Sequence, residues 1–348
     1  MARTHIVEPS TAGPAPGGGE TGKGIGKDAW HRLWAAYFRG WRRGVWRRGI
    51  AVAGLAVVVS LLMLLHSAVP NRIGNLGSLA ETFLPWLGLV VPVVLVLGLI
   101  RRSATALTAV VLPAVVWSGM FGGLVLDKRT GGGDVMVATH NVGVANTDPA
   151  GTGRKLAASG ADILALEEMT DEAAKIYESS LAGTYAHHAV EGSVGLWSKY
   201  PMTGTKPLDD LDWGRSMRTV VETPHGEIAV YVVHLMSVRV RLHTGFDSYQ
   251  RDLGADATGA RIMTEPLRRV VLLGDFNGAT DDRSLSAVTS QMRSTQDAAG
   301  QGFGFTWPSS FPVTRIDQIM VKGVKPTSSW TLPKTGSDHL PIAARLAL

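Results

Sequence analysis

The 348-residue sequence contains no cysteine, which excludes disulfides, a catalytic thiol and a thiolate-held zinc ion. Acidic residues are missing from His31 to Arg48, where Arg32, Arg39, Arg42, Arg43, Arg47 and Arg48 alternate with Trp34, Trp41 and Trp46, just after Trp30. Charge of either sign is almost absent from Gly49–Val69, Leu79–Ile100 and Ser103–Leu126. These runs also lack the polar face that a surface helix of a soluble protein shows. About 20 apolar residues suffice to cross a bilayer, so the sequence predicts three transmembrane helices. The length of the first run and the two that follow it argue against a cleaved signal peptide.

A basic excess is lacking in the remainder. Asp134 to Leu348 holds 24 Asp and Glu against 20 Lys and Arg, so the formal net charge of +5 comes from the first third. That distribution is a topology signal and argues against a tight nucleic-acid binder. The arginines before the first run, with Arg101 and Arg102 between the second and third, place the N-terminus in the cytoplasm. Three crossings then put the C-terminal domain outside a multi-pass cell-membrane protein. Lys128 and Arg129 pull weakly the other way.

The expected organisation is a disordered Gly/Pro-rich tail to about Lys27 and a basic interfacial helix over Trp30–Arg48, together 1–48. The transmembrane helices occupy 49–126, and a linker over 127–134 carries the flexible hinge Thr130–Gly133. A soluble domain covers 135–348. In that domain strand-like runs alternate with helical ones: strands at Val135–Thr139, Ile163–Leu166, Val194–Ser198, Thr219–Glu222, Glu227–Val233, Val270–Leu273 and Ile316–Val321, and helices near Gly153–Ser159, Asp171–Ser180 and Tyr249–Glu265. The mixture predicts an α+β domain with helices over the outer sheet faces.

Several strand-like runs end on polar residues. Gly274-Asp275-Phe276-Asn277 puts two polar side chains on one side of an extended chain; Asp275 there can deprotonate a water and Asn277 can bond a phosphate oxygen. Ser337-Asp338-His339 offers a carboxylate and an imidazole before the last strand. Asp317 is a carboxylate in an apolar strand and needs a partner, for which a histidine is economical. Glu168 follows Ile163–Leu166 beside Glu167, and one of the two should face the sheet rim as a ligand for a hard cation. Asn141 reads as a phosphate or metal-water contact or a turn residue. His234 lies in a hydrophobic strand, where a lone histidine is more often a core residue. Arg239, Arg241, His243 and Arg251 form a basic group that can bind phosphate or simply be solvated.

In this order the residues resemble the endonuclease/exonuclease/phosphatase family, over about Asp134 to Leu348. Its series is an Asn after the first strand, Leu-Gln-Glu, a His-bearing strand, Gly-Asp-x-Asn, an Asp-bearing strand and Ser-Asp-His. Glu167 replaces the usual Gln, Val232 an Asn, and Gln318 an aromatic residue. The resemblance implies a four-layer α/β sandwich of two mixed β-sheets flanked by helices. It implies Mg²⁺ or Mn²⁺ at Glu168, with Asn141 and Asp338 nearby. Asp275 would activate water, Asn277, His234 and His339 would neutralise phosphoryl charge, and Asp317 would hold His339. The expected function is a membrane-anchored phosphoesterase acting on a nucleic acid, a phospholipid or a small phosphate ester, with the bilayer as its surroundings and no protein partner implied. The alternative is a catalytically silent domain that binds a partner.

Overall fold

The computed structural model describes residues 25–39, 44–208, 215–241, 243 and 245–348. In the C-terminal half the apolar strands have no wet face, and the period of two divides each between two cores. Val135 and Val137 of β1 (Val135–Asn141) point into a core shared with the opposite sheet, while Met136 and Ala138 point under the helices. β7 (Gly226–His234) does the same with Val230 and Val232 against Tyr231 and Val233. Such strands require cover on both sides, and the result is a four-layer sandwich.

The first sheet runs β13 (Lys325–Thr331), β14 (Ile342–Ala347), β1, β2 (Ile163–Glu167), β4 (Val194–Ser198), β3 (His187–Glu191). The second runs β11 (Arg293–Ser294), β12 (Asp317–Lys322), β10 (Val270–Asp275), β7, β6 (Ser216–Thr223), β5 (Met202–Pro207). β1 pairs β2 in parallel and β7 pairs β10 in parallel; the other pairs are antiparallel. A separate two-stranded ribbon pairs the exposed β8 (Arg239–Arg241) with β9 (Gly245–Asp247), whose Phe246 is buried and bonded to Gly74 and Asn75 of the helical third. Helices α7 (Pro149–Ala157) and α8 (Asp171–Leu181) cover the first sheet, and α9 (Tyr249–Met263) covers the second. Asp148 and Thr170 cap α7 and α8 by accepting the backbone N–H of Gly151 and Ala173, which fixes where each helix starts.

The apolar first third departs from three uniform spans. The first run forms α2 (Ile50–Leu64), only 15 residues long, or about 22 Å against a hydrocarbon core of about 30 Å. The second is broken. α3 (Leu76–Thr82) and the helical stretch Leu84–Ile100, which ends in α4 (Val90–Ile100), meet at 65°. Pro85 follows the bend at Phe83 and cannot supply the N–H that a continuous helix needs. Only Ala104–Val125, comprising α5 (Ala104–Ala109) and α6 (Val111–Val125), is long and apolar enough to cross a bilayer among the described residues, or two segments if the bent pair counts as one.

The basic segment forms α1 (Ile25–Arg39), and Gly44–Gly49 are turns. The predicted disordered tail lies outside the described residues up to position 24, as do Trp41, Arg42 and Arg43. The Thr130–Gly133 segment is not a free hinge. The Thr130 N–H donates to Thr327 O at 2.7 Å, the Thr327 hydroxyl to Gly132 O at 2.9 Å, and the Asp134 N–H to Leu346 O at 2.7 Å.

The helical third is seated on the C-terminal half, the domain from residue 135 onward. The guanidinium of Arg283 donates to the buried Glu81 carboxylate (Nε–Oε1 2.9 Å; Nη2–Oε1 2.7 Å) and to the carbonyls of Ser67, Val69 and His66. Ser78 Oγ donates to Asp282 at 2.9 Å, and Trp86 Nε1 to Val313 O at 2.7 Å.

Candidate active site

The inward-facing series of five strands explains the site. Along β1 the inner positions are Val135, Val137, Thr139 and then Asn141; along β2 they are Ile163, Ala165 and then Glu167. In the second sheet they lead through Val232 to His234, through Leu273 to Asp275, and from Ile319 back to Asp317. Register aligns the ends, with Asn141 opposite Glu167 and with His234, Asp275 and Asp317 in one row. The polar cleft is therefore the top edge of the core between the sheets, where apolar side chains give way to titratable ones.

Asp275 is the hub. Its Oδ2 accepts the Asn141 amide at 2.9 Å, and its Oδ1 accepts the Asn277 backbone N–H at 2.8 Å. Burial and then the neighbouring Asp317 raise its pKa to about 7, against the pull of His339 and of these two hydrogen bonds. Gly274, at φ 139°, precedes it, and a side chain there would collide with the Val233 carbonyl, so the parallel β7–β10 pair closes only with glycine.

Asp317, fully buried, takes His339 Nδ1 on Oδ2 at 2.9 Å. Burial works against an imidazolium at His339, but the carboxylate of Asp317, then those of Asp275 and Asp338, lift its pKa to about 10. His339 Nε2 stands 3.9 Å from Asp275 Oδ2. Asp275, Asp317 and His339 offer ligand atoms within 4.8 Å of one another. His234 is the opposite case. Its side chain is fully buried with no hydrogen-bond partner on either ring nitrogen, 3.3 Å from Glu168 and 3.8 Å from Asp275. Burial, then Arg215 and His339, lower its pKa to about 3, so it is neutral.

The remaining residues fall in three places. Asn277 lies in the left-handed region at φ 47°, and its amide donates to Leu235 O at 2.8 Å and to Asp275 at 3.3 Å. Asp338 is turned outward to the lip, where it accepts the Trp307 indole N–H at 3.2 Å; it stands outside the cluster that holds His339. The adjacent pair Glu167 and Glu168 does not divide into one rim and one solvent residue. Glu168, at φ 59°, reaches His234 from the rim, while Glu167 is completely buried, bonded by Thr139 Oγ1 at 2.6 Å, with Oε2 unpartnered. Burial pushes the Glu167 carboxyl well above its usual range. The alternation Ile163, Ala165, Glu167 carried that signal.

Arg251, grouped above with the basic loop, is buried instead. It pairs with Asp282 at 2.7 Å, both fully buried, and with Asp252 at 2.6 Å, and donates to the Asn277 carbonyl at 3.3 Å. Arg239 and Arg241 stay on the exposed β8. His140 is buried and bonded to Thr335 at 2.7 Å.

The sequence profile of the Endonuclease/Exonuclease/phosphatase family matches residues 138–339, more than half of the chain. The chain belongs to the endonuclease/exonuclease/phosphatase family. Its members are divalent-metal-dependent phosphoric ester hydrolases, and the chain is a hydrolase of this class.

Three solved structures show the same fold at low identity. They are a mannosyl-6-phosphatase from Bacteroides thetaiotaomicron (17% identity, TM-score 0.51, covering 62% of this chain and 100% of that one), D. rerio TDP2 complexed with single-strand DNA product (18%, 0.51, 62% and 99%), and beta toxin from Staphylococcus aureus (16%, 0.50, 61% and 99%). No curated protein gives a significant sequence match.

The residues present fit a hard divalent cation. Glu167 Oε2 is a buried acceptor without a partner, Glu168 stands at the rim, and three buried carboxylates, of Glu167, Asp275 and Asp317, share one imidazolium. Crowded oxygen donors, of which the Glu167 and Asp275 carboxyls resist ionisation in the absence of a cation, are what Mg²⁺ or Mn²⁺ takes.

Proposed function

We propose that this family member is a membrane-anchored phosphoesterase that hydrolyses a phosphodiester or phosphomonoester by in-line attack of water. The observation that carries the reading is the buried Asp275–His339–Asp317 arrangement, in which a carboxylate with its pKa near neutrality faces an imidazolium locked by a second carboxylate. Asp275 is the base that accepts the proton of the attacking water, since a group with a pKa near the working pH does so most effectively. Asn141 and the Asn277 N–H fix the direction of its oxygens. His339, charged and oriented by Asp317, faces the phosphoryl oxygens with Nε2 and stabilises charge that develops there. Neutral His234 supplies a further donor. Glu168, Glu167 and Asn141 would hold Mg²⁺ or Mn²⁺, which contributes Lewis-acid charge at the phosphoryl group. Asp338 is left as a lip residue that orients Trp307.

Membrane anchoring is supported by the Ala104–Val125 helix, only 11% buried in its apolar window, where the core helix of a soluble protein would be mostly covered. Arg101 and Arg102 precede it, consistent with a cytoplasmic N-terminal side and an external catalytic half. The test is a hydrolysis panel on the full chain in detergent, with Mg²⁺ or with EDTA: bis-p-nitrophenyl phosphate, plasmid DNA, RNA, and phospholipid esters. Metal-dependent turnover of one class is expected. Inactivity across the panel would favour a domain that only binds.

A further inference from the structure

An apolar groove of about 500 Å³ runs between the helical third and the catalytic half, within the about 300–1,000 Å³ of small-molecule sites. Trp86, Leu89, Pro92 and Trp117 line it from the helices, Phe303 and Phe305 from the catalytic half. Trp86 stacks on Phe305 at 5.7 Å and Phe305 on Phe303 at 5.1 Å. Both indole N–H groups are bonded to carbonyls, Trp86 to Val313 and Trp117 to Pro85. The ring faces that remain are apolar.

The groove and the carboxylate cluster are joined by consecutive residues. Phe305 is groove wall. Thr306 is fully buried beside Asp317, with its hydroxyl accepting the Asp317 N–H at 3.4 Å. Trp307 bonds Asp338, next to His339. Two residues, no more than about 8 Å of backbone, separate the apolar wall from the site. The lip between them is apolar too: Trp307, Phe311 and Val144 are 37%, 69% and 68% exposed. Phosphate-tracking proteins line such a lip with Lys and Arg. On the far side the groove is walled by α4 and by the 22-residue Ala104–Val125 helix, so its open edge faces whatever surrounds that helix.

We infer that the groove holds the hydrocarbon tail of a membrane lipid whose phosphate ester is the substrate, so that tail and phosphate are bound on the two sides of the Phe305–Trp307 segment. This rests on the phosphoesterase and membrane readings above. A lipid lifted partly from the bilayer keeps its tail in apolar surroundings, while its phosphate reaches Asp275 and His339. Removing the tail from hydrocarbon into a groove lined by aromatic faces sacrifices little hydrophobic free energy.

The test uses the full chain in nanodiscs, with a photoreactive acyl chain on a phospholipid diester or on the matching neutral diacylglycerol. The diester should label the peptides containing Phe303–Phe305 and Trp117, and unlabelled diester, not diacylglycerol, should compete. Ser118→Phe, from an exposed position on the groove wall, and Leu89→Trp, also exposed, should each lower this labelling. Each should also lower kcat/KM for the long-chain ester at least tenfold, with bis-p-nitrophenyl phosphate turnover unchanged. Equal labelling by the neutral lipid, equal loss on both esters, or faster cleavage of plasmid DNA than of the long-chain ester would overturn the inference. Failure of the wild-type chain to cleave either ester would instead strike the phosphoesterase reading itself.

Discussion

Arg283→Met removes the cation that holds the helical third to the segment following Asn277, and the structure sets the size of the effect. Glu81 is 1% exposed and takes Arg283 on both oxygens. Without that partner its carboxylate keeps His66 Nδ1 at 2.9 Å and one backbone N–H, and most of its compensating charge is gone. Breaking a buried pair from one side costs about 3–5 kcal/mol. Arg283 is itself 32% exposed, which argues for the lower end. About 3 kcal/mol corresponds to about a hundredfold rise in local opening.

The segment affected is 277–285. Its Asp282 receives Ser78 Oγ and pairs with Arg251, which holds the Asn277 carbonyl. Hydrogen exchange followed by mass spectrometry on the full chain should therefore show that segment exchanging about a hundredfold faster, with a lower kcat, while β1 and β2 keep their protection. Adding Glu81→Gln should recover part of the loss, since no charge is then stranded. Wild-type exchange over 277–285 in Arg283→Met, or a double variant as perturbed as the sum of the singles, would refute the reasoning.

Three further outcomes are expected. Asp275→Asn and His339→Ala should each lower kcat at least ~100-fold, Asp317→Asn less, and Asp317→Asn with His339→Ala no more than His339→Ala alone; additive losses in steady-state assays would mean that Asp317 acts on its own. EDTA should abolish turnover and Mg²⁺ or Mn²⁺ restore it. In metal titrations, Glu168→Gln should raise the concentration needed; a larger shift in Glu167→Gln would make the buried member of the pair the principal ligand. A reporter fused after Leu348 should be active only when exported, and activity confined to the cytoplasm would reverse the orientation.

Much of the catalytic half was legible because period-two alternation is a local signal. Val194–Ser198 was placed to the residue, and the helices over Asp171–Leu181 and Tyr249–Met263 within about two. β13, Lys-Pro-Thr-Ser-Ser-Trp-Thr, is an edge strand stabilised by its neighbour β14 rather than by apolar content, so nothing in its residues announced it. β5 carries a register shift between Thr203 and Lys206 that breaks its alternation. The site residues were readable singly, but burial was not. Arg251 looks like a surface charge until Asp282, 31 positions later, is seen beside it. The helical third was misjudged for a related reason: hydropathy counts residues and ignores where Pro85 interrupts the backbone, or that Glu81 is held by a side chain two hundred positions away.

The seat formed by Glu81, Ser78 and Trp86 fixes how far the enzyme can reach. A catalytic head on a slack leash would sample a hemisphere and could meet esters well out in solution. On the proposed anchoring this one stands at a set height, because Asp282 and Arg283, just after Asn277, and Val313, just before Asp317, are the points that rest on the helices. Extra residues at Gly131–Gly133 would lengthen the chain without freeing the head, and on the membrane-anchored reading proposed above, encounter with substrate becomes a search within a plane.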